Sequence, residues 1–400
     1  MPTFVIVGAS LAGAKAAETL RDEGFDGEIV LLGTESDLPY ERPPLSKGYL
    51  LGNDERDSFI VHPADWYAEH AVDLRTGVTV TRIDRAGSAV GTADGSTVHY
   101  DRLLLTTGAS PRRLDFPGSD RDEVLYLRTA ADSARLRAAF EAAPRVVVAG
   151  AGWIGLETTA AARSYGCEVT VLEPQPGALH EQLGPELGAF FADLHRAHGV
   201  NFRFGERAAE FRPGLVVTSA GAEVPADLLV AGIGAAPNDQ LPAAAGLEVS
   251  NGVMTDADLS TSDENIFAAG DVANSFNPLL GRRVRVEHWA NALNGGPVAA
   301  RSMLGQPVVY DPVPYFFSDQ YDLGMECAGL PSPGTYDQVA YRGDPASGEF
   351  IAFWLSRGTV TAGMNVNVWD VNDDIQSLIR SARPVDLSRL TDPTIPLPDL

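Results

Sequence analysis

The sequence predicts an α/β protein built from two Rossmann-type βαβ halves and a C-terminal α+β cap. Three observations predict it. An apolar run leads into a glycine-rich turn at residue 8, another does so at residue 150, and beyond residue 312 apolar and polar positions alternate in strand-like runs.

The second turn is the more complete. In RVVVAGAGWIGLETTAAARSYGCEVTVLE, residues 145–173, Val146, Val147 and Val148 lead into Gly150, Gly152 and Gly155. A helical stretch follows, and Glu173 closes the next apolar strand 23 positions after Gly150 (173 minus 150). The first glycine permits a sharp turn, the second lets main-chain amides approach a pyrophosphate, and the third lets helix and strand pack closely. A lone GxGxxG also occurs in ordinary glycine-rich turns, but strand, helix and acid in register make this one a dinucleotide cradle. The first copy, FVIVGASLAGAKAAETLRDEGFDGEIVLLGTE, has Gly8 and Gly13 with Ser10 between them, and Glu35 lies 27 positions after Gly8 (35 minus 8). Ser10 gives up some closeness to a pyrophosphate, yet its hydroxyl can donate to an oxygen there. Two cradles imply two dinucleotides.

The elements follow in order. Strand, helix and strand run to about Leu32, and then DLPYERPPLSKGYL appears, in which Pro43 and Pro44 forbid helix and stiffen a loop able to hold Arg42 and Lys47 against a bound group. Segments VTVTRI, STVHY and RLLLTTG read as a small meander and a returning parallel strand. The second βαβ unit precedes a helix near residues 185–198, a strand at 200–204 and further strands ending in LLVAGIGAAPN. A buried strand at 266–269 then ends in Gly270 and Asp271, and a helix spans 287–304. The runs QVAYRG, FIAFWLSRG and TVTAGMNV and a final helix at 371–381 form the cap. The expected domains are therefore 1–110 with 239–312, an inserted 111–238, and 313–400.

Composition narrows the class. With 400 residues and 44% hydrophobic content the chain can form several cores, and a net charge of -24 argues against general affinity for nucleic acid or anionic membrane. Cys167 and Cys327 are too few for a disulfide framework, fit a reducing compartment and do not read as catalytic. The first strand begins by residue 4, leaving no room for a signal peptide, and no apolar run reaches membrane-spanning length, so a cytoplasmic protein is expected, as a monomer or weak homodimer. No metal-ligand cluster is visible, and His195 and His198, near the end of a helix, are expected to face solvent.

The acids that end the second strands, Glu35 and Glu173, suit the ribose hydroxyls of adenosine, although each also reads as a solvated strand-end carboxylate. Glu173 would repel a 2′-phosphate, and the PQPG after it offers no Arg to receive one, which favours NADH over NADPH. Asp271 could accept hydrogen bonds from a polyhydroxylated chain such as ribitol or could cap a helix. Beside two nucleotide units, FAD is the coherent occupant. Lys47 and Glu157 form a candidate charged pair for hydride transfer: a lysine near flavin N5 stabilises charge on reduced flavin by roughly 4 kcal/mol, before desolvation, at about 4 Å and an effective dielectric of about 20. The plain alternative for Lys47 is a surface lysine. PPLSKGYL holds no cysteine and no CxxC occurs, which excludes thiol chemistry.

The motifs GASLAG, LPYERPPLSK, TTGASPR, GAGWIGLE, GIGAAPN, FAAGDVA, RVEHWANAL and FFSDQYDLG, in this order across essentially the whole chain, resemble those of the NAD-dependent ferredoxin reductases that serve oxygenases. The resemblance implies a glutathione-reductase-like fold. It places FAD against Gly8, Ala12, Gly13, Thr34, Glu35, Arg42, Lys47, Val80, Arg128, Asp271, Glu287, His288 and Trp289, and NADH against Gly152, Ile154, Glu157, Glu173 and Gly234. Phe317 stands where such reductases usually carry Trp, so the flat ring is kept and the indole N–H is lost. The implied reaction passes a hydride from NADH to FAD and then single electrons to a [2Fe–2S] ferredoxin. Such ferredoxins are commonly acidic, and Arg282, Arg283 and Arg285 offer a local basic docking patch, or else a solvated basic turn. The alternatives are an NADH oxidase or quinone and dye reductase, and an NADH-responsive redox sensor resembling apoptosis-inducing factor.

Overall fold

A computed structural model describes residues 1–142 and 144–400. Backbone packing divides the chain into two compact units, one made of residues 1–42, 56–110 and 235–312, the other of 43–55, 111–234 and 313–400.

In the first unit a parallel sheet has the order Ile266–Ala268, Arg102–Leu105, Thr3–Val7, Glu28–Leu32, Val72–Arg75. Apart from the edge strand Val72–Arg75, its strands are mostly apolar because both faces are covered, the pattern expected when crossover helices pack on a parallel sheet. One face packs against helices Leu11–Asp22 and Trp289–Met303 through Ala16, Ala17, Leu20, Ala299 and Ala300. The small side chains let the two helices approach closely: a Cβ on Gly296 would stand 2.3 Å from the carbonyl oxygen of Ala12. The other face meets the antiparallel meander Val80–Asp84, Ala89–Thr92, Thr97–His99 through Ile83, Val90 and Val98.

In the second unit the parallel order is Asn201–Phe204, Glu168–Glu173, Arg145–Ala149, Leu228–Ala231, Val124–Tyr126. Helix Trp153–Ser164 leaves the glycine turn. The helix expected from residue 185 spans His180–Ala197, interrupted at Gly184, where φ is 82° and Pro185 follows. Proline is well placed in a first turn, which is why the sequence marks a start at 185; the preceding turn joins it across that glycine. The C-terminal region is a five-stranded antiparallel sheet in the order Tyr315–Gln320, Leu323–Gly329, Thr359–Val366, Glu349–Ser356, Gln338–Asp344. Helix Asn372–Ser381 closes one face, with buried Ile375 packed against Gly363. Trp354, fully buried, donates its indole N–H to the Leu183 carbonyl at 3.1 Å.

Among the described residues no helix is long and apolar enough to cross a membrane, and no group of three or more His, Cys, Asp or Glu could hold a metal ion.

Candidate functional site

Both glycine turns are built alike. Gly8 N–H donates to Leu32 O and Gly150 N–H to Leu172 O, each at 2.8 Å, closing the turn onto the next strand. Gly8 (φ 122°) and Gly150 (φ 101°) adopt backbone that side chains resist, and a Cβ would lie 2.1 Å from Thr106 O in one and 2.3 Å from Gly232 O in the other. Gly13 and Gly155 sit under the turns, where a Cβ would fall 2.2 Å from Gly8 O and 2.1 Å from Gly150 O. Gly152 differs. Its φ is -80°, and a Cβ there would meet nothing within 4 Å. Neither backbone nor packing calls for glycine at that position. Ser10 occupies the matching place in the first unit and makes no side-chain capping bond. Ile154, 44% exposed on the first helical turn, presents an apolar surface beside Gly152.

In the first unit, Glu35 accepts hydrogen bonds from the Tyr40 hydroxyl and from Arg42 Nη2 at 2.8 Å. Burial opposes the charge on Arg42, but Tyr40, Glu35 and Asp271 outweigh it and raise the guanidinium above its ordinary range. Asp271 sits in a single 3₁₀ turn after strand Ile266–Ala268; Ala269, not Asp271, is the cap residue. Thr34 is exposed just past the second strand, and Val80 opens the meander half-buried. Ala12 is buried beneath the helix crossing. Glu287 is paired with Arg285. His288 caps helix Trp289–Met303, its Nδ1 accepting from Ala290 N at 3.2 Å, while Trp289 Nε1 donates to Glu41 at 3.1 Å.

The basic turn is less open than its sequence suggests. Arg285 is only 9% exposed and donates to Glu287 and to the Asp271 carbonyl. Arg283 donates to Thr255 O and pairs with Asp256, which leaves Arg282 as the exposed member.

In the second unit the structure brings Lys47 and Glu157 together. Lys47 Nζ donates to Glu157 Oε1 at 2.7 Å, and the carboxylate is 4% exposed. Ser318 donates to the same oxygen at 2.7 Å and Ser46 donates to Oε2, so every donor around the carboxylate stabilises its charge. Lys47 Nζ also lies 5.3 Å from the centre of the Phe317 ring. Sequence reasoning missed both serines, although each lies in a motif it singled out, PPLSK and FFSDQ. Glu173, 9% exposed, accepts from Ala151 N at 2.7 Å and Gln175 N at 2.8 Å, so the second turn itself holds the acid. Gly234 (φ 88°) accepts from Arg112 N. Arg128 precedes helix Ala130–Phe140 in this unit, its N–H donating to Asp132.

One expectation is overturned. His195 is fully buried, with Nε2 against Gln320 at 2.8 Å and Nδ1 against the Tyr321 hydroxyl at 3.0 Å, while His198 stacks on the Tyr321 ring at 3.6 Å. The C-terminal sheet, distant in sequence, covers that helix face.

Residues 2–296 match the pyridine nucleotide-disulphide oxidoreductase family and residues 315–400 the reductase C-terminal family. The chain belongs to the pyridine nucleotide-disulphide oxidoreductase family. It is 42% identical to the ferredoxin–NAD(+) reductase component of the anthranilate 1,2-dioxygenase system of Burkholderia cepacia, over 98% of each chain. It is 36% identical to putidaredoxin reductase of Pseudomonas putida, over 99% of this chain and 96% of that one. The crystal structure of the covalent putidaredoxin reductase–putidaredoxin complex superposes with a TM-score of 0.95, covering 100% of this chain and 97% of that chain at 36% identity. The ferredoxin reductase of the CYP199A2 system from Rhodopseudomonas palustris also gives 0.95, at 35% identity, covering 100% and 99%. This member of the oxidoreductase family departs from the family's name in one respect. Cys167 and Cys327 are both buried and unpaired, and burial raises both thiols above their ordinary range.

Proposed function

We propose that this protein is an FAD-dependent NADH:ferredoxin reductase that delivers electrons to a [2Fe–2S] ferredoxin feeding an oxygenase of the cytochrome P450 or Rieske type, in the cytoplasm. The observation that carries the reading is the buried Lys47–Glu157 pair in a chain whose only thiols are sealed and protonated. With no reactive thiol available, electrons leave without a disulfide step. The full-length likeness to ferredoxin reductase components supports the same acceptor class.

Bound FAD supplies the conversion of a hydride into single electrons. The residues we assign to it are Gly8, Ser10, Ala12, Gly13, Thr34, Glu35, Arg42, Lys47, Val80, Arg128, Asp271, Glu287, His288 and Trp289. Gly150, Gly152, Ile154, Gly155, Glu157, Glu173 and Gly234 we assign to NADH. Lys47 holds a fixed positive charge, and Glu157 keeps the ammonium in place. We place ferredoxin docking at the 282–285 turn, led by Arg282, a local exception on a chain of charge -24.

NADH-dependent cytochrome c reduction with and without a panel of purified ferredoxins tests the reading, with single-turnover flavin reduction beside it. Ferredoxin-dependent turnover is expected. Lys47→Met should slow flavin reduction by NADH at least about tenfold, the loss of roughly 1.4 kcal/mol of charge stabilisation. Rapid reoxidation of the flavin by air, with no gain from any ferredoxin, would make the protein an NADH oxidase instead.

A further inference from the structure

Buried His195 belongs to a hydrogen-bonded chain that ends at the Lys47–Glu157 pair. Burial lowers its imidazole pKa to about 4, so at neutral pH the ring carries a single N–H. Its neighbours decide which nitrogen holds it. Gln320 Oε1, 2.8 Å from Nε2, is a carbonyl oxygen and only accepts, so Nε2 bears the proton and Nδ1 accepts from the Tyr321 hydroxyl at 3.0 Å. The Gln320 amide nitrogen donates to Ser318 Oγ at 3.0 Å, and Ser318 donates to Glu157 Oε1 at 2.7 Å. A carboxylate can only accept, so the direction of each donation is set from Glu157 outward. Ser318 and Gln320, two apart on strand Tyr315–Gln320, share its buried face. Tyr321 follows at a φ of 59° and stacks on His198.

We propose that Tyr321, His195 and Gln320 are positioning residues, forming a one-way hydrogen-bond chain that keeps the Ser318 hydroxyl on Glu157 and thereby fixes the carboxylate that carries Lys47. This rests on the reading that Lys47 and Glu157 serve hydride transfer. The chain orients and does not conduct: an amide passes a proton only through its imidic acid form, so Gln320 interrupts any relay. Successive donors of the same sense strengthen one another, which lets a distant tyrosine bear on the carboxylate.

Selective 15N labelling of histidine in the holoprotein at neutral pH reads the chain directly. His195 is expected as the Nε2–H tautomer. In Glu157→Gln the carbonyl oxygen has to stay where Lys47 donates, which is also where Ser318 donates, and the amide nitrogen turns to Ser46, so His195 should remain Nε2–H. An Nδ1–H tautomer in the unaltered protein or in Glu157→Gln overturns the proposal. In single-turnover reduction by NADH, His195→Leu should lower the rate constant about three- to tenfold with NADH affinity changed less than about twofold. His195→Gln, which can still donate to Gln320, should recover to within about twofold of the unaltered rate. If His195→Leu does not fold, Tyr321→Phe keeps the ring on His198, removes the first donor and should cost about two- to threefold. An unchanged rate in a folded His195→Leu or Tyr321→Phe protein overturns the positioning role and leaves the Lys47 reading standing; an unchanged rate in Lys47→Met overturns both.

Discussion

At the first glycine turn the acid that closes the second strand is Glu35, with a side chain 32% exposed and gripped by Tyr40 and Arg42; at the second turn it is Glu173, 9% exposed and gripped by two main-chain N–H groups. The frames around them are the same, down to the 2.8 Å bond from the first glycine to the neighbouring strand. The second acid is thus positioned by the turn that makes the cradle, and it stays in place as long as the strand and turn are folded. The first depends on side chains from the proline-rich loop, so its geometry can change without any change in the turn.

Substitutions that fill the turns should break the comparison most severely. Gly13→Ala and Gly155→Ala drive a Cβ to within 2.2 Å and 2.1 Å of a main-chain oxygen, in the turns we assign to different nucleotides. Gly13→Ala should purify with little bound flavin, whereas Gly155→Ala should remain yellow and lose NADH-driven flavin reduction by about 100-fold, the loss of roughly 3 kcal/mol. Absorbance spectra and stopped-flow traces separate the two, and the same phenotype from both changes would contradict the division of labour.

A smaller effect distinguishes the second unit by its buried histidine. His195 titrates near 4 in the folded chain and near 6.5 unfolded, so between those values the unfolded state binds more protons and stability falls as pH falls. The full loss from pH 6.5 to 4 is about 3 kcal/mol. Guanidinium unfolding of the protein and of His195→Gln at pH 7 and 4.5 should show the variant less acid-sensitive; matching pH dependence would sink the assignment.

Arg42→Leu sharpens the contrast between the acids. It removes a charge-assisted bond of about 1.5–3 kcal/mol from Glu35 and should weaken flavin retention about tenfold while leaving NADH affinity unchanged. Equilibrium dialysis and NADH titration measure the two arms. The smallest effect is expected at the surface: Arg282→Glu should raise the apparent Michaelis constant for ferredoxin about two- to fivefold with ferricyanide reduction intact, and equal loss in both assays argues against docking there.

Much of this was legible in the chain because it is local. Glycine spacing, the apolar strands and the strand-end acids mark both turns within some 30 residues each, and the helix expected at 287–304 is found at Trp289–Met303. What escaped was long-range. His195 lies 125 positions from Gln320 and 126 from Tyr321, and nothing in the helix sequence announces that a strand of the C-terminal sheet will cover it. Ser46 and Ser318 meet at Glu157 from opposite ends of the chain, and a serine in a motif looks like any other until the fold aims its hydroxyl. The inward turn of Arg285 had a nearer signal, the acid two residues on, which competes with any outside partner.

The sealed thiols have a practical side. Cys167 and Cys327 are both interior and held in the unreactive S–H form, so maleimide reagents should pass over them in the folded protein. One cysteine engineered onto the surface would then be the sole attachment point, opening the enzyme to oriented tethering on an electrode or to a single fluorescent reporter without first removing its native sulfur.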